Sequence, residues 1–499
     1  MALLGSTELF LGRMKTERMT TCKFHLFPQV RNPITKFRFI TRSLSSSSSS
    51  SSWSLPPSHE PELLLATSDA ILKSFSPSRF TPSPPAPDIS NYLLNGCKWT
   101  DAPNCPDYIG PVSIGRTRYG RGLFARSNFD AGDIISISNA FALSHNDTHN
   151  IDLFDKIYTI VKESPLALRR YYCLAGNGPH DNLAVPDIRL FDANYTHFHG
   201  IDPSGSEELK IDEEKLVRIL HVNAFSGEVS PTYNKTSSCE EGRINGLWLI
   251  PSFVNHSCCP NASRLIVGKA MFIVAARDIK AEEEINFSYT NIMSPLRHRE
   301  KNLAEIGYGF RCECHRCETE RSVEKEFEEV SQRYQDLLGR AEDEVYSAVT
   351  SPERQPPHCF PACVELFELY EILRGKVNAL RHLTKVQKQW ILSGYSCAFL
   401  GKWFISGYAN GFNPPSDFIS SNALELVEAM KCTEPGMLRT LSFMTILAHV
   451  AAKEEERRFS LVQSLVELAL HECVCLYGKQ RLDVTMELME QSANIVPFF

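Results

Sequence analysis

The chain has 499 residues, 43% of them hydrophobic and 22% charged, with a formal net charge of −7. This is the composition of a globular protein with material for two or three domains, and the negative balance argues against recruitment of nucleic acid by bulk positive charge. Its 16 cysteines are scattered, mostly in apolar surroundings; this fits reduced thiols with one metal site better than a disulfide framework, and no apolar run is long enough for a membrane span.

The first 55 or so residues carry Arg13, Lys15, Arg18, Lys23, Arg31, Lys36, Arg38 and Arg42 against Glu8 and Glu17, and an unbroken run from Ser45 to Ser52 follows. A basic, serine-rich, acid-poor start resembles a mitochondrial or plastid transit peptide; a disordered low-complexity tail is the plainer alternative. Pro82, Pro84, Pro85 and Pro87 close residues 1–90 as a stiff linker, and a short helix is expected over 89–97. From Val112 the character changes. Short β-branched and aromatic runs at 122–125, 133–138, 270–275 and 284–289 read as strands. Between about 145 and 250 the strand signal fades, and helices are expected at 152–161, 165–173 and 212–225. The last would bury Leu216, Ile219, Leu220 and either Val222 or Asn223. After Cys317 the pattern is helical. A long acidic stretch over 320–349 sets Phe327, Val330, Tyr334 and Leu337 or Leu338 on one side. Pro356 and Pro357 break it, and further helices are expected at about 360–375, 378–408, 421–431, 437–453, 459–477 and 481–494, packed as antiparallel pairs.

Three motifs in the middle of the chain carry chemistry. Cys312, Cys314 and Cys317 form C-x-C-x-x-C, three thiolates in one tight loop, one short of a tetrahedral Zn²⁺ shell. Cys258, in the segment Asn255-His256-Ser257-Cys258, is the best fourth ligand and Cys259 its rival. Four thiolates would close the shell, so the metal would be structural, tying the start of the helical region to the strand domain. Backbone groups of Asn255 and His256, with the asparagine amide, could recognise the amino-acid part or the adenine of a cofactor. Gly120-Arg121-Gly122 is a glycine-rich turn entering a strand; it lacks the third glycine of a dinucleotide fingerprint and the Lys-Ser/Thr of a phosphate loop. Tyr289, at a strand end, could place its ring and hydroxyl against a cationic sulfonium.

These motifs, in this order, resemble the SET-domain lysine methyltransferases, and more narrowly the SMYD-like branch. The resemblance rests on 120–124, on Asn223-Ala224-Phe225, on 251–258 with Pro260 and Asn261, on 276–279 with 283–285, on Ser288-Tyr289 and on 308–312. It covers about 112–320 firmly and the helical remainder loosely. It implies an α+β fold: a SET β-fold of small curved sheets with a pseudoknot, a helical insertion, a post-SET zinc loop and an all-α C-terminal region. The implied division is 1–90 as a disordered or targeting segment, 110–292 as the SET domain, 293–320 as the post-SET loop and 321–499 as the helical domain. By the same similarity Arg121, Gly122, Asn223, Ser252, Asn255, His256, Tyr289 and Phe310 would hold S-adenosylmethionine. Tyr289 would be the catalytic hydroxyl of the methyl-transfer channel, Tyr308 and Phe310 its aromatic wall, and Cys258, Cys312, Cys314 and Cys317 the zinc ligands. The chain departs from the pattern twice. Glu282 stands where the family's turn has glycine, and the zinc finger (MYND) often inserted in that branch is missing from the sequence.

The function expected is S-adenosylmethionine-dependent N-methylation of a protein lysine, inside the cell, in cytoplasm or nucleus unless the N-terminal segment directs it to an organelle. The alternatives are a SET-type methyltransferase acting on a peptide or small-molecule amine, and a non-catalytic, zinc-stabilised interaction module.

Overall fold

The computed structural model describes residues 86–95, 105–145, 150–176, 184–192, 210–227, 244–305, 309–350, 360–398, 422–433, 435–436, 440–441, 444 and 459–492. The transit-like start, most of the helix expected at 437–453 and Tyr308 lie outside them.

The described strands are β1 (Tyr108–Ile109), β2 (Val112–Thr117), β3 (Gly120–Ala125), β4 (Ile134–Asn139), β5 (Ala142–His145), β6 (Phe225–Gly227), β7 (Ile244–Leu247), β8 (Asn255–His256), β9 (Ala262–Val267), β10 (Ala270–Ala275) and β11 (Glu284–Phe287). The described helices are α1 (Ser90–Asn95), α2 (Ile151–Glu163), α3 (Pro165–Tyr172), α4 (Glu213–Asn223), α5 (Leu296–Glu305), α6 (His315–Val323), α7 (Glu328–Thr350), α8 (Pro361–Ala379), α9 (Lys385–Ser393), α10 (Asn422–Thr433), α11 (Phe459–Tyr477) and α12 (Leu482–Ser492). The strands form three small sheets, ordered β1-β4-β10-β9, β2-β3-β11-β8 and β5-β7-β6. All described pairings are antiparallel except β8 with β11. The fold is α+β: among the described residues the strands are gathered before residue 290 and helices alone follow.

Every residue of β10 is buried, because its sheet has a core on both faces. Successive side chains of a strand point to opposite faces. Ala270, Phe272 and Val274 accordingly enter the core shared with the C-terminal helices, while Ile273 and Ala275 enter the one shared with α2, α3 and α4. The helical region shares one apolar core with β4, β9 and β10.

The α4 helix is capped by Asp212, whose carboxylate accepts from the Lys215 N–H at 3.0 Å. It buries Leu216, Ile219, Leu220 and Asn223, so the asparagine takes the inward slot and Val222 does not. Three expectations need correction. The 145–250 segment is not wholly helical: β6 and β7 fall within it and pair with each other, and β7 also pairs with β5. All four residues of β7 are buried, which erases the alternation that marks a half-exposed strand. The helix expected over 320–349 is two, α6 and α7, separated by a turn at Glu324–Glu326 that lets Arg297 reach both Glu324 and Glu328, at 2.5 and 2.7 Å. The segment from 378 is broken before α9, which starts from a capping box in which Thr384 and Gln387 satisfy each other's backbone N–H groups.

One joint fixes the strand region on the helices. Gly132, at φ 86°, lies in the turn before β4, and a Cβ there would come within 2.3 Å of Val474 on α11. Its carbonyl accepts from the Lys479 N–H at 2.9 Å, and the Lys479 ammonium lies 2.8 Å from Asp133. In the same core Tyr92 of α1 donates to the Val267 carbonyl at 2.8 Å.

Two glycine-related substitutions should therefore move stability in opposite directions. Gly132→Ala meets a left-handed backbone and a packed neighbour, and should cost about 2 kcal/mol or more. Glu282, the non-glycine residue of the 281–284 turn, sits at φ 67°. Glu282→Gly removes that penalty of about 1–2 kcal/mol, loses only an exposed ion pair, and gives back about 0.5–1 kcal/mol of chain entropy, leaving a small gain. Thermal melts of the two variants test both signs.

Candidate active site and metal centre

The site is assembled on β11 and the segment that pairs with it. Asn255 lies opposite Asn286 and His256 opposite Phe287. Beyond β8 the chain stays anchored: Ser257 N–H donates to the Phe287 carbonyl at 3.1 Å, and Asn261 Oδ1 accepts from the Asn286 N–H at 2.7 Å.

The Asn255 amide nitrogen donates to Glu284 Oε1 at 2.7 Å and to the Arg121 carbonyl at 3.0 Å. It crosses directly under Gly122, where a Cβ would lie 2.6 Å from Glu284 Oε1 and 2.9 Å from the amide nitrogen. Glycine is needed there for this close approach, whatever else the turn does. Asn255 Oδ1 accepts from none of the described residues, so it is available to a ligand.

His256 is buried, and both its ring nitrogens are engaged. Nδ1 accepts the Tyr289 backbone N–H at 2.9 Å, which puts the ring proton on Nε2, facing Cys258 Sγ at 3.2 Å. The Tyr289 hydroxyl donates to the Val254 carbonyl at 2.7 Å. Tyr289 is thus held at its backbone and at its phenol. Around it stand rings: His256 at 5.4 Å and Phe287 at 5.8 Å between centroids. Phe310 lies 6.0 Å from His256 and 5.2 Å from Tyr119. The β2–β3 tip is also tied to the loop that bears Phe310, through an Arg118–Glu313 ion pair and a Tyr119 hydroxyl donating to the Arg311 carbonyl at 3.4 Å.

Next to His256 the sulfurs gather. Those of Cys312, Cys314 and Cys317 lie within 4.8 Å of one another, and Cys258, Cys312 and a His256 nitrogen form a second group within the same limit. A tetrahedral zinc with about 2.3 Å bonds sets sulfurs about 3.8 Å apart, so modest adjustment would seat the ion. Contacts with Cys258 first, then with the other two sulfurs, drive the Cys312 thiol far below its ordinary range, and Cys314 is lowered to about 7, again chiefly by Cys258. Cys258 itself is pushed up, chiefly by Cys312.

The surroundings say what charge the cluster carries. Arg299 and Arg316 are fully buried, and both pair with the one carboxylate of Glu320. Arg299 Nη2 lies 3.8 Å from Cys317 Sγ, and Arg316 donates to the Cys258 carbonyl at 3.3 Å. Two guanidinium groups against one carboxylate leave a buried positive charge, which is costly unless something answers it. Four thiolates around a dication would carry a net charge of −2, more than enough to do so. The donor set and its electrostatics fit zinc. Cys259, the rival ligand, is raised chiefly by burial and stands outside both sulfur groups.

The remaining expected residues lie on neighbouring elements. Arg121 stacks its guanidinium 5.5 Å above the Phe253 ring. Asn223 spends its amide nitrogen on the Ala175 and Ile219 carbonyls, at 2.9 and 2.7 Å. Ser252 donates to the Trp248 carbonyl at 2.7 Å. The sequence reading missed Tyr119, Arg299, Arg316, Glu320 and Phe287. The i,i+4 spacing of Arg316 and Glu320 was visible, but such pairs are usually solvated and nothing local marks these as buried.

Part of the chain is similar to proteins already known. The SET domain family model matches residues 120–290. A SET and MYND domain-containing protein of Dictyostelium discoideum is 33% identical over 104 residues, covering 21% of this chain and 30% of that protein. The histone-lysine N-methyltransferase SET5 of Saccharomyces cerevisiae is 30% identical over 144 residues, 28% of this chain and 23% of the relative. The histone-lysine N-methyltransferase SMYD3 of Homo sapiens is 37% identical over 75 residues, 15% and 17% respectively. The chain therefore spans less than a third of the length of each of these relatives.

Elemental analysis should find about one zinc per chain. Cys314→Ser should lose most of it, and a strong chelator should lower the melting temperature of the parent protein but change that of the variant little.

Proposed function

We propose that this chain, which carries a SET domain, transfers a methyl group from S-adenosylmethionine to a lysine side chain of a protein. The observation that carries the reading is the fixing of Tyr289 at both ends: its N–H on His256, which faces the cluster sulfur of Cys258, and its hydroxyl on the Val254 carbonyl. A phenol so held, with rings on several sides, is suited to aligning a small cationic reaction centre. Relatives named as histone-lysine N-methyltransferases support the acceptor class.

Bound S-adenosylmethionine would supply a methyl group activated on its sulfonium sulfur. Arg121, Gly122, Asn223, Ser252, Asn255, His256, Tyr289 and Phe310 would hold it. The available Asn255 Oδ1 and the ring faces of His256, Tyr289 and Phe310 fit a ligand that is polar at one end and cationic at its centre. Tyr308, with Phe310, would complete the acceptor wall.

The acceptor arrives as an ammonium and has no lone pair to attack with. Desolvation between aromatic walls lowers its pKa from about 10.4, and the proton leaves to solvent. The neutral amine can then donate to the Tyr289 oxygen, whose lone pairs stay available because its own O–H is turned toward the Val254 carbonyl. No carboxylate base is required. Zinc would be structural, holding the loop that carries Phe310 against His256. On this reading 110–292 is the catalytic domain, 293–320 the zinc loop and 321–499 a wall packed on it, and the protein works in the cytoplasm or nucleus.

The test is calorimetry with S-adenosylmethionine, followed by methyl-label transfer to a cell lysate separated into protein and small metabolites. Label in protein lysines is expected. Tyr289→Phe should bind the donor within a few-fold of the parent and lower turnover at least a hundredfold, about 2.7 kcal/mol of barrier. Label confined to metabolites would assign a small-molecule acceptor, and no donor binding would reject the enzyme.

A further inference from the structure

Five residues, most of them proposed above for the donor, lie on a closed circuit of contacts. The Asn255 amide donates to the Arg121 carbonyl at 3.0 Å, and the chain runs from Arg121 through Gly120 to Tyr119 at the β2–β3 tip. The Tyr119 ring lies 5.2 Å from that of Phe310, and Phe310 lies 6.0 Å from His256, the neighbour of Asn255. Only Tyr119 among these five residues is exposed, at 39%.

The link at Tyr119 also differs from the others in kind. Arg118 and Tyr119 are the two residues of the turn between β2 and β3. Both reach across to the loop that carries Phe310: Arg118 pairs with Glu313, and the Tyr119 hydroxyl donates to the Arg311 carbonyl at 3.4 Å. The Arg118 guanidinium lies 4.7 Å over the Tyr119 ring, so the two hold the loop together. Both partners of the ion pair are about half exposed, and a pair of that kind contributes little and is screened by salt. The loop's other anchors are internal to it and to α5 and α6. The Cys312 carbonyl accepts from Arg321 at 3.0 Å, and Arg311 pairs with Glu300 at 2.9 Å. The circuit is therefore weakest between the turn and the loop, and opens there.

Resting on the methyltransferase reading, we propose that Tyr119 and the Arg118–Glu313 pair latch the Phe310 loop over the donor site, and that release of this latch sets the rate at which spent donor leaves. Tyr119 is a positioning residue: its ring keeps Phe310 against His256 and does not act on the reacting atoms. An aromatic pair of this spacing accounts for up to about tenfold in a rate, and an exposed ion pair for up to about fivefold.

Tritiated S-adenosylhomocysteine, bound to the full chain at low ionic strength and chased with unlabelled compound, reads that rate. Tyr119→Ala should release it about tenfold faster than the parent, and Tyr119→Phe, which keeps the ring, within about twofold. Glu313→Arg sets two like charges face to face and should release it about fivefold faster. Arg118→Glu combined with Glu313→Arg restores the pair with its signs exchanged, and should return the rate to within about twofold of the parent. Zinc content and circular dichroism check that each variant is folded. A Tyr119→Ala variant that releases at the parent rate, or a charge exchange no slower than Glu313→Arg alone, overturns the proposal. Failure of the methyltransferase reading looks different: the parent then retains no S-adenosylhomocysteine to release.

Discussion

Two buried arginines hold the molecule's functional centre to its frame. Arg299 and Arg316 converge on Glu320, and each also reaches the sulfur cluster, one through Cys317 Sγ and the other through the Cys258 carbonyl. Arg316 continues outward to the Trp390 carbonyl at 3.2 Å and to Ser393 Oγ. Ser393 accepts in turn from Thr433 at 2.6 Å. A continuous polar path therefore runs from the cysteine loop into α9 and α10. Removal of one member of a buried charge group costs several kcal/mol, since the partners stay buried and unanswered. The loop and the helices behind it are thus one energetic unit, although a sequence reader would place a boundary between them.

The same unity holds on the apolar side. One core runs from Ile134 and Phe272 of the first sheet through Val323 and Tyr334 to Leu470 and Leu488 of the last helices. Its sheet uses both faces, one toward these helices and the other toward α2, α3 and α4. The site lies on the next sheet, β2-β3-β11-β8. Its position is inherited from two cores that meet across β10, and the C-terminal helices contribute to it as support.

Much of this was legible in the chain, for reasons that can be located. The α4 helix was readable because Leu216, Ile219 and Leu220 recur at helical spacing on a surface helix with one wet face. The cysteine loop was readable because metal ligation demands soft donors at short spacing, and little else does. Strand β7 was not, because a short strand buried throughout has no alternation to read, and β6, at three residues, is too short to show one. The buried triad was not, because burial of an arginine depends on distant partners such as Trp390 and Ser393, 74 and 77 residues along the chain from Arg316. Phe287 was passed over as the strand residue next but one before Tyr289. Only folding shows that its ring carries Arg264 as well as facing that tyrosine.

The histidine shows how a motif can be read correctly in order and incompletely in role. From the sequence, Asn255-His256 reads as a cofactor contact made by backbone groups and the asparagine amide, with no task for the imidazole. The imidazole instead faces inward, and accepts the backbone N–H of Tyr289 while its other nitrogen faces Cys258. Its neutral tautomer follows from that geometry, since Nδ1 cannot accept a hydrogen bond and carry a proton at once. A metal at the sulfurs would fix Cys258 as an acceptor, which fixes the imidazole proton on Nε2, which fixes Nδ1 as the acceptor for Tyr289. Loss of the metal would loosen that chain from its far end. Metal binding and phenol placement would therefore be coupled in this molecule: whatever holds the sulfurs also sets the backbone from which the Tyr289 ring projects.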